Sequence, residues 1–194
     1  MARIEAGAIG KVHMVVADLG KNAPFDPQAG LYNLELGGGT LLGNGVYPIS
    51  LACMVLGPAI EARGTCEIGS TGVDEQAVVS LRHADGGLSS VFTSLHTETP
   101  CRMFIYGSKG SIEAGPRTSR LRSFTIFDEQ GNVVETVQPP TDGKGFVHQV
   151  RVVGECLRAG QTESPTLPLD DTLAIMRTMD TLRSDWGIRY PGEA

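Results

Sequence analysis

Three consecutive glycines, at residues 37–39, open an apolar stretch that extends to residue 57. Glycine loses more backbone entropy on folding than any other residue, so a run of three is expected where the backbone must approach a ligand or a neighbouring segment closely. The residues after the glycines are apolar on more than one face, which predicts a helix buried on both sides. Gly57 and Pro58 end that helix.

Most of the remaining chain alternates between apolar and polar residues. This period of two is typical of strands, and short links such as residues 84–87 carry glycines where a hairpin needs positive φ. Short links between seven or eight successive strands predict a mainly antiparallel sheet. The predicted strands cover residues 11–19, 59–68, 73–83, 88–97, 101–106, 111–114, 121–127 and 133–137.

Helical spacing returns at both ends of the chain. Residues 2–6 resemble the last turn of a helix, and two longer helices are predicted after residue 145. Asp170 and Asp171 fall in the first turn of the second helix, where carboxylates favour the helix dipole. Helices beside an antiparallel sheet predict an α+β fold, an open sheet with helices on one face and the other face available for dimerisation. The predicted helix faces are Phe146, Val150, Val153 and Leu157, then Leu173, Met176, Met179, Leu182 and Trp186.

Length and charge limit the function classes. With 194 residues one domain is the simplest organisation, and a net charge of −6 argues against nucleic acid or an anionic membrane as a partner. The four cysteines lack zinc-ligand spacing, so no metal is expected and they are interpreted as small buried residues in a reducing compartment. The first residues lack a signal-peptide layout, and no window is expected to be apolar enough to span a membrane, which predicts a cytoplasmic protein.

The common catalytic motifs do not occur. There is no GxGxxG after a strand, no GxxxxGK[ST], no GxSxG and no HExxH. Tyr47 is the best candidate for chemistry, because a phenol can exchange a proton with an alkoxide or carbonyl oxygen; a buried tyrosine with a satisfied hydroxyl is the alternative. His96, near a predicted strand end, could line a pocket mouth. The pair Asp74 and Glu75 is expected on the surface.

Several segments together resemble a known family. LGGGTLLGNGVYPISLACMVLG, IYGSKGSIE and the closing RYPGE are similar to the C-terminal domain of the glucose-fructose oxidoreductase, inositol dehydrogenase and rhizopine-catabolism family, nearest its dihydrodiol-dehydrogenase-like branch. The resemblance covers essentially the whole chain. It implies that residues 1–194 form one substrate-binding and oligomerisation domain, and that the N-terminal Rossmann domain that binds NAD or NADP in the family is absent from this chain.

The resemblance also implies roles for particular residues. Tyr47 matches the proposed proton-donating tyrosine, and Gly38, Gly39, Asn44 and His96 are candidates for contact with substrate. The family normally places an aspartate four residues before the tyrosine, where this chain has Gly43. No cofactor is expected to bind this chain alone.

Two functions remain open at this point. The first is the substrate-site wall and subunit interface of an NAD(P)-dependent oxidoreductase acting on a sugar, polyol, diol or similar compound, with the isolated chain inactive. The second is a stand-alone, non-catalytic dimerising or ligand-binding module derived from that family, which Gly43 favours.

Overall fold

One eight-stranded sheet organises the fold. A computed structural model describes residues 1–118, 121–139 and 146–193, and within them the strand order is β2-β3-β4-β1-β5-β6-β7-β8. The strands are β1 Val12–Gly20, β2 Ala59–Ile68, β3 Asp74–His83, β4 Leu88–Ser94, β5 Met103–Gly107, β6 Gly110–Ala114, β7 Phe124–Phe127 and β8 Val133–Val137. The helices are α1 Ala2–Glu5, α2 Val46–Leu56, α3 Phe146–Arg158 and α4 Leu169–Trp186.

The sheet is mixed but mostly antiparallel. Among the described residues, six pairs of neighbouring strands are antiparallel. The pair of β1 and β4 is parallel, in a register that aligns Met14 with Leu88. A parallel pair needs a crossover connection, and here the chain between β1 and β4 contains α2 and the β2–β3 hairpin. The α+β open sheet predicted from the sequence is confirmed.

The two faces of the sheet differ. Along β3, Val79 and Leu81 are buried while Val78 is exposed, as the period of two requires. The buried face packs against α2 and α4, where Ile49 and Leu182 are fully buried in the same apolar cluster. Helices α2 and α4 therefore cover one face, and side chains on the opposite face, such as Val78, are exposed.

The stretch of residues 37–57 differs in part from the expected helix buried on both sides. It begins with a π turn, Leu41–Gly45, and only then continues as α2. Within α2, Pro48, Ile49 and Ala52 are buried, whereas Tyr47 is 53% exposed. One side of α2 packs on the sheet and the other faces outward, so the expectation of burial on both sides was wrong.

Helix α3 forms where its spacing predicted, but its apolar face is not covered by the described residues. Phe146, Val150, Val153 and Leu157 are each more than half exposed, and Cys156 is the one buried residue of α3. Sequence periodicity predicts the helix and its apolar stripe, whereas burial depends on a second surface that periodicity does not contain.

One stretch is apolar and long enough to span a membrane, contrary to the expectation that no window is. By length and composition alone, Leu34–Leu56 meets that criterion, with a mean hydropathy of 1.4. In this fold 44% of its apolar window is buried inside the protein, and the core helix of a packed domain meets the same criterion.

Candidate active site around the glycine turn

The glycine turn, residues 37–39, packs against other parts of the protein. A Cβ atom on Gly38 would lie 2.8 Å from the carbonyl oxygens of Gly30 and Asn33, and one on Gly39 would collide with the carboxylate of Asp74. Gly37 and Gly39 also have positive φ values of 74° and 116°, which L residues with side chains rarely adopt. The close approach predicted from the three glycines is thus made, in this structure, to neighbouring protein segments.

Asp74 binds the backbone just after the glycine turn. Its side chain is completely buried, and its Oδ2 accepts a hydrogen bond of 2.6 Å from the backbone N–H of Leu41, the first residue of the π turn. Its Oδ1 is buried and makes no hydrogen bond with the described residues. Burial raises the pKa of Asp74 to about 6, although the N–H of Leu41 acts in the opposite direction.

Tyr190 binds the middle residue of the same turn. Its hydroxyl donates a hydrogen bond of 2.5 Å to the carbonyl oxygen of Gly38, across 152 positions of sequence. Burial and the neighbouring Asp74 raise the pKa of Tyr190 to about 12, so the hydroxyl stays a donor throughout the neutral range.

The closing segment that carries Tyr190 is tied to α4 by Arg183. The Arg183 guanidinium stacks over the Tyr190 ring at 4.7 Å from the ring centroid, and it donates hydrogen bonds of 3.0 and 2.9 Å to the two carboxylate oxygens of Glu193. The N–H of Tyr190 donates to Glu193 as well, at 2.9 Å. These hydrogen bonds, led by that from Arg183, lower the pKa of Glu193 to about 2.

A buried polar contact lies directly under the π turn. The hydroxyls of Thr40 and Thr93 are 2.7 Å apart, and the Thr93 hydroxyl donates to the carbonyl of Leu19 at 2.9 Å. Asn44 is 7% exposed and its amide reaches Thr40 at 3.4 Å. Asn44 therefore joins the internal support of the turn and presents little surface.

Tyr47 lies at the second position of α2, immediately after the π turn, and its phenol side chain is exposed. π turns inserted in helices are frequent at functional sites. Pro48 lies in α2 within one turn of the π turn, and because it has no N–H it leaves a carbonyl of that turn without a helical donor. The backbone under Tyr47 is thus restricted on both sides, by the π turn before it and the proline after it.

Gly43 lies in the π turn, at the position where the resemblance implies an aspartate. It is exposed, and a Cβ there would contact only the end of the Leu31 side chain, at 2.8 Å. A leucine methyl group can move aside, and the backbone at Gly43 has no positive φ. The local structure can therefore accept a side chain here.

His96 follows β4 and pairs with a buried carboxylate. Its Nε2 lies 2.8 Å from Oε2 of Glu75, with the His96 side chain 47% exposed and that of Glu75 10% exposed. The nearby Glu75 also raises the pKa of Tyr32, although burial is the larger cause. The pair fixes one imidazole nitrogen and leaves the ring accessible, an arrangement suited to contact with a polar ligand.

The expectation that Asp74 and Glu75 are surface charges was wrong, since both are buried. Period two places them on opposite sides of β3, but at this end of the strand each side is covered. Asp74 contacts the π turn, and Glu75 contacts His96. The acidic pair at the start of α4, by contrast, is exposed.

Of the five residues proposed from the sequence, two present side chains to the surface. Tyr47 and His96 are exposed, whereas Gly38, Gly39 and Asn44 are buried in the support of the turn. Sequence reasoning did not assign any role to Asp74, Glu75 or Tyr190. The signal available for Tyr190 was its place in the closing RYPGE segment; for the two acids there was none beyond their adjacency.

The cysteines and the acidic groups form no metal centre in the described ranges. All four cysteines are free; Cys156 is buried and the other three are partly buried. Within residues 1–118, 121–139 and 146–193, no group of three or more His, Cys, Asp or Glu side chains is arranged to hold a metal ion.

Comparison with known proteins assigns the family. Residues 1–113 match the family model described as the GFO/IDH/MocA C-terminal domain. The chain belongs to the GFO/IDH/MocA family. The resemblance noted in the sequence, to the glucose-fructose oxidoreductase and inositol dehydrogenase family, is confirmed.

Two curated relatives extend the match beyond residues 1–113. D-xylose 1-dehydrogenase (NADP(+)) of Hypocrea jecorina is 30% identical over 219 residues, which cover 97% of this chain and 56% of the relative. Trans-1,2-dihydrobenzene-1,2-diol dehydrogenase of Danio rerio is 30% identical over 200 residues, covering 96% and 57%. The chain spans about half the length of the curated relatives it matches.

Solved structures share the fold. The aldose-aldose oxidoreductase from Caulobacter crescentus, complexed with glycerol, superposes with a TM-score of 0.75 at 25% identity, over 93% of this chain and 55% of that one. Levoglucosan dehydrogenase, in complex with NADH and levoglucosan, superposes with a TM-score of 0.80 at 17% identity, over 96% and 59%.

Proposed function

We propose that this chain supplies the substrate-site wall and the subunit interface of an NAD(P)-dependent oxidoreductase acting on a sugar, polyol, diol or similar hydroxy or carbonyl compound. Its relatives named above are dehydrogenases for a sugar and for a diol. The described strands and helices contain no glycine-rich βαβ nucleotide fingerprint. NAD or NADP would therefore be held by a separate nucleotide-binding domain, where its nicotinamide ring exchanges hydride with the substrate carbon.

The observation that carries this proposal is the placement of Tyr47. Its phenol is exposed at the start of α2, on a backbone held by the glycine turn and the π turn. A phenol held in this way can give a proton to a carbonyl oxygen as it is reduced, or take one from a hydroxyl as it is oxidised. We assign His96, steadied by Glu75, to a second hydrogen bond with the substrate. Gly38, Gly39 and Asn44 act through the backbone that supports Tyr47.

A chimaera tests the proposal. The part of the Hypocrea jecorina relative outside the alignment is fused to residues 1–194, and NADP⁺ binding is measured first, to show that the nucleotide-binding part is folded. Reduction of NADP⁺ is then followed by absorbance with aldoses, polyols and vicinal diols. We expect turnover that falls by about 100-fold or more in Tyr47→Phe, which deletes only the hydroxyl used for proton transfer. A chimaera that binds NADP⁺ and turns over equally well with phenylalanine would contradict the assignment.

The second candidate function is a stand-alone dimerising or ligand-binding module. Gly43, in place of the family's aspartate, is the observation that favours it, because the carboxylate that would orient or tune the substrate site is missing. Calorimetry on the 194-residue chain at micromolar concentration addresses the cofactor directly. We expect no saturable binding of NAD or NADP, and a micromolar isotherm would show that the cofactor site lies within this chain.

We also propose that the open face of the sheet pairs two copies of the chain. Apolar side chains lie side by side there: Met14 aligns with Leu88 and with Tyr106, and Val78 aligns with Phe92. All five are at least 39% exposed. A contiguous apolar face of this kind is typical of a subunit interface.

The remaining assignments concern location and excluded partners. We propose a cytoplasmic protein, in keeping with four free cysteines, which persist in reducing compartments. The net charge of −6 disfavours nucleic acid and anionic membranes as partners.

A further inference from the structure

We propose that Asp74 and Tyr190 are positioning residues that together set the placement of Tyr47, by holding the backbone of residues 38–41 at both ends. The inference rests on the proposed function of Tyr47 as the proton-transfer residue. It gives the closing RYPGE segment a role in the site, although that segment is about 140 residues away from Tyr47 in sequence.

The two anchors lie on either side of the sharpest part of the turn. Tyr190 donates to the carbonyl oxygen of Gly38 at 2.5 Å, and Asp74 accepts from the N–H of Leu41 at 2.6 Å. Gly39 lies between them. Its φ of 116° disfavours any residue with a side chain, and the Asp74 carboxylate occupies the space that a Cβ would need. Both anchors are short hydrogen bonds to backbone groups, so they fix the path of the chain itself.

The Tyr190 anchor is itself rigid. Arg183, whose side chain is 9% exposed, contacts the Tyr190 ring and binds both carboxylate oxygens of Glu193. Arg183 belongs to α4, and α4 packs on β2 and α2. The position of the Tyr190 hydroxyl is therefore fixed relative to the core of the fold through this network of contacts.

Placement passes from the anchors to Tyr47 through a short, continuous path. The π turn starts at Leu41, and α2 starts at Val46, one residue before Tyr47. The side chain of Tyr47 is 53% exposed, so its position depends mainly on the backbone beneath it. A displacement of about 1 Å at a reacting group can cost about 100-fold in rate, which makes the support of this backbone a determinant of turnover.

Tyr190→Phe is the variant that tests the inference, because it removes one hydroxyl and keeps the ring over Arg183. Tyr32→Phe is the matched control: the Tyr32 hydroxyl also donates to a backbone carbonyl, that of Ala23 at 2.9 Å, and Tyr32 is buried more completely than Tyr190. Hydrogen exchange of the Leu41 amide in the 194-residue chain gives a readout that does not need activity. We expect exchange about 10-fold faster or more in Tyr190→Phe and little change in Tyr32→Phe.

Kinetics in the chimaera gives the second readout. We expect Tyr190→Phe to lower kcat by about 10-fold or more with KM within about twofold, since the substrate still binds but the proton donor is misplaced. Tyr32→Phe should leave both values near those of the parent. If Tyr47→Phe lowers turnover and Tyr190→Phe does not, the positioning role is wrong and the proposed function stands. If neither variant changes turnover, the proposed function is wrong. Unchanged hydrogen exchange of the Leu41 amide in Tyr190→Phe would independently show that Tyr190 does not position this backbone.

Discussion

Asp74→Asn is expected to change how the free energy of unfolding depends on pH. Asp74 is fully buried, with one carboxylate oxygen bound to the N–H of Leu41 and the other without a hydrogen-bond partner among the described residues. Asparagine has nearly the same shape, and its side-chain carbonyl can still accept from Leu41. The substitution therefore removes a titrating charge and keeps the hydrogen bond that supports the glycine turn.

The sign of the effect follows from the direction of the pKa shift. Burial raises the pKa of Asp74 from 3.8 to about 6 in the folded protein, so the folded state holds a proton that the unfolded state has already lost. The stabilisation from this proton is fully present below the unfolded pKa and is lost as the pH rises through 6. A pKa difference of about 2 between the folded and unfolded states corresponds to about 3 kcal/mol in the free energy of unfolding. Asparagine cannot contribute that pH dependence.

Urea denaturation followed by the fluorescence of Trp186, the one tryptophan, gives the measurement. The free energy of unfolding of Asp74→Asn minus that of the parent should rise by about 2 kcal/mol between pH 4.5 and pH 8, most of it below pH 7. Asp170→Asn, an exposed site at the start of α4, serves as the control for loss of one negative charge. A difference that stays within about 0.5 kcal/mol across this range would refute the reasoning, because the carboxylate would then be solvated in the folded state.

Three further predictions concern the turn and the open face. Gly39→Ala should destabilise the fold by about 3 kcal/mol or more in urea denaturation, because the new Cβ would collide with Asp74. Gly37→Ala, where φ is 74° but a Cβ would meet no neighbouring atom, should cost only about 1 kcal/mol. Equal costs would contradict the packing described. Gly43→Asp should leave the free energy of unfolding within about 1 kcal/mol and raise turnover in the chimaera, and a loss of folding would show that the glycine is structurally required. Sedimentation should give about twice the 20.6 kDa chain mass for the parent and a single chain mass for Phe92→Asp, which places a charge on the open face. Leu36→Asp, at an exposed site away from the sheet, should keep the mass of the parent. A parent mass near that of a single chain would refute the dimer.

The sequence alone determined the strands and longer helices of the fold and its class, but not the π turn. Strand β3 shows why: its period of two, with Val79 and Leu81 on one side and Val78 on the other, is a local property that the sheet preserves. The helix ends were predictable for the same reason, since Gly187 ends α4 with a left-handed conformation that its residue type favours. The family's motif also located Tyr47, which the structure places at the surface.

The support of the candidate site was decided by tertiary structure. From the sequence Asp74 is predicted to be a surface charge next to Glu75, but it is buried beneath Gly39 and Leu41, more than 30 positions earlier in the chain. Tyr190 reaches Gly38 across 152 positions, and the parallel pairing of β1 with β4 joins strands that no local pattern connects. Residue type and spacing describe what a segment prefers by itself, whereas contacts between distant segments arise from the packing of the whole chain. The three glycines illustrate both: the sequence indicated that something approaches them closely, and the fold supplied Asp74, Gly30 and Asn33.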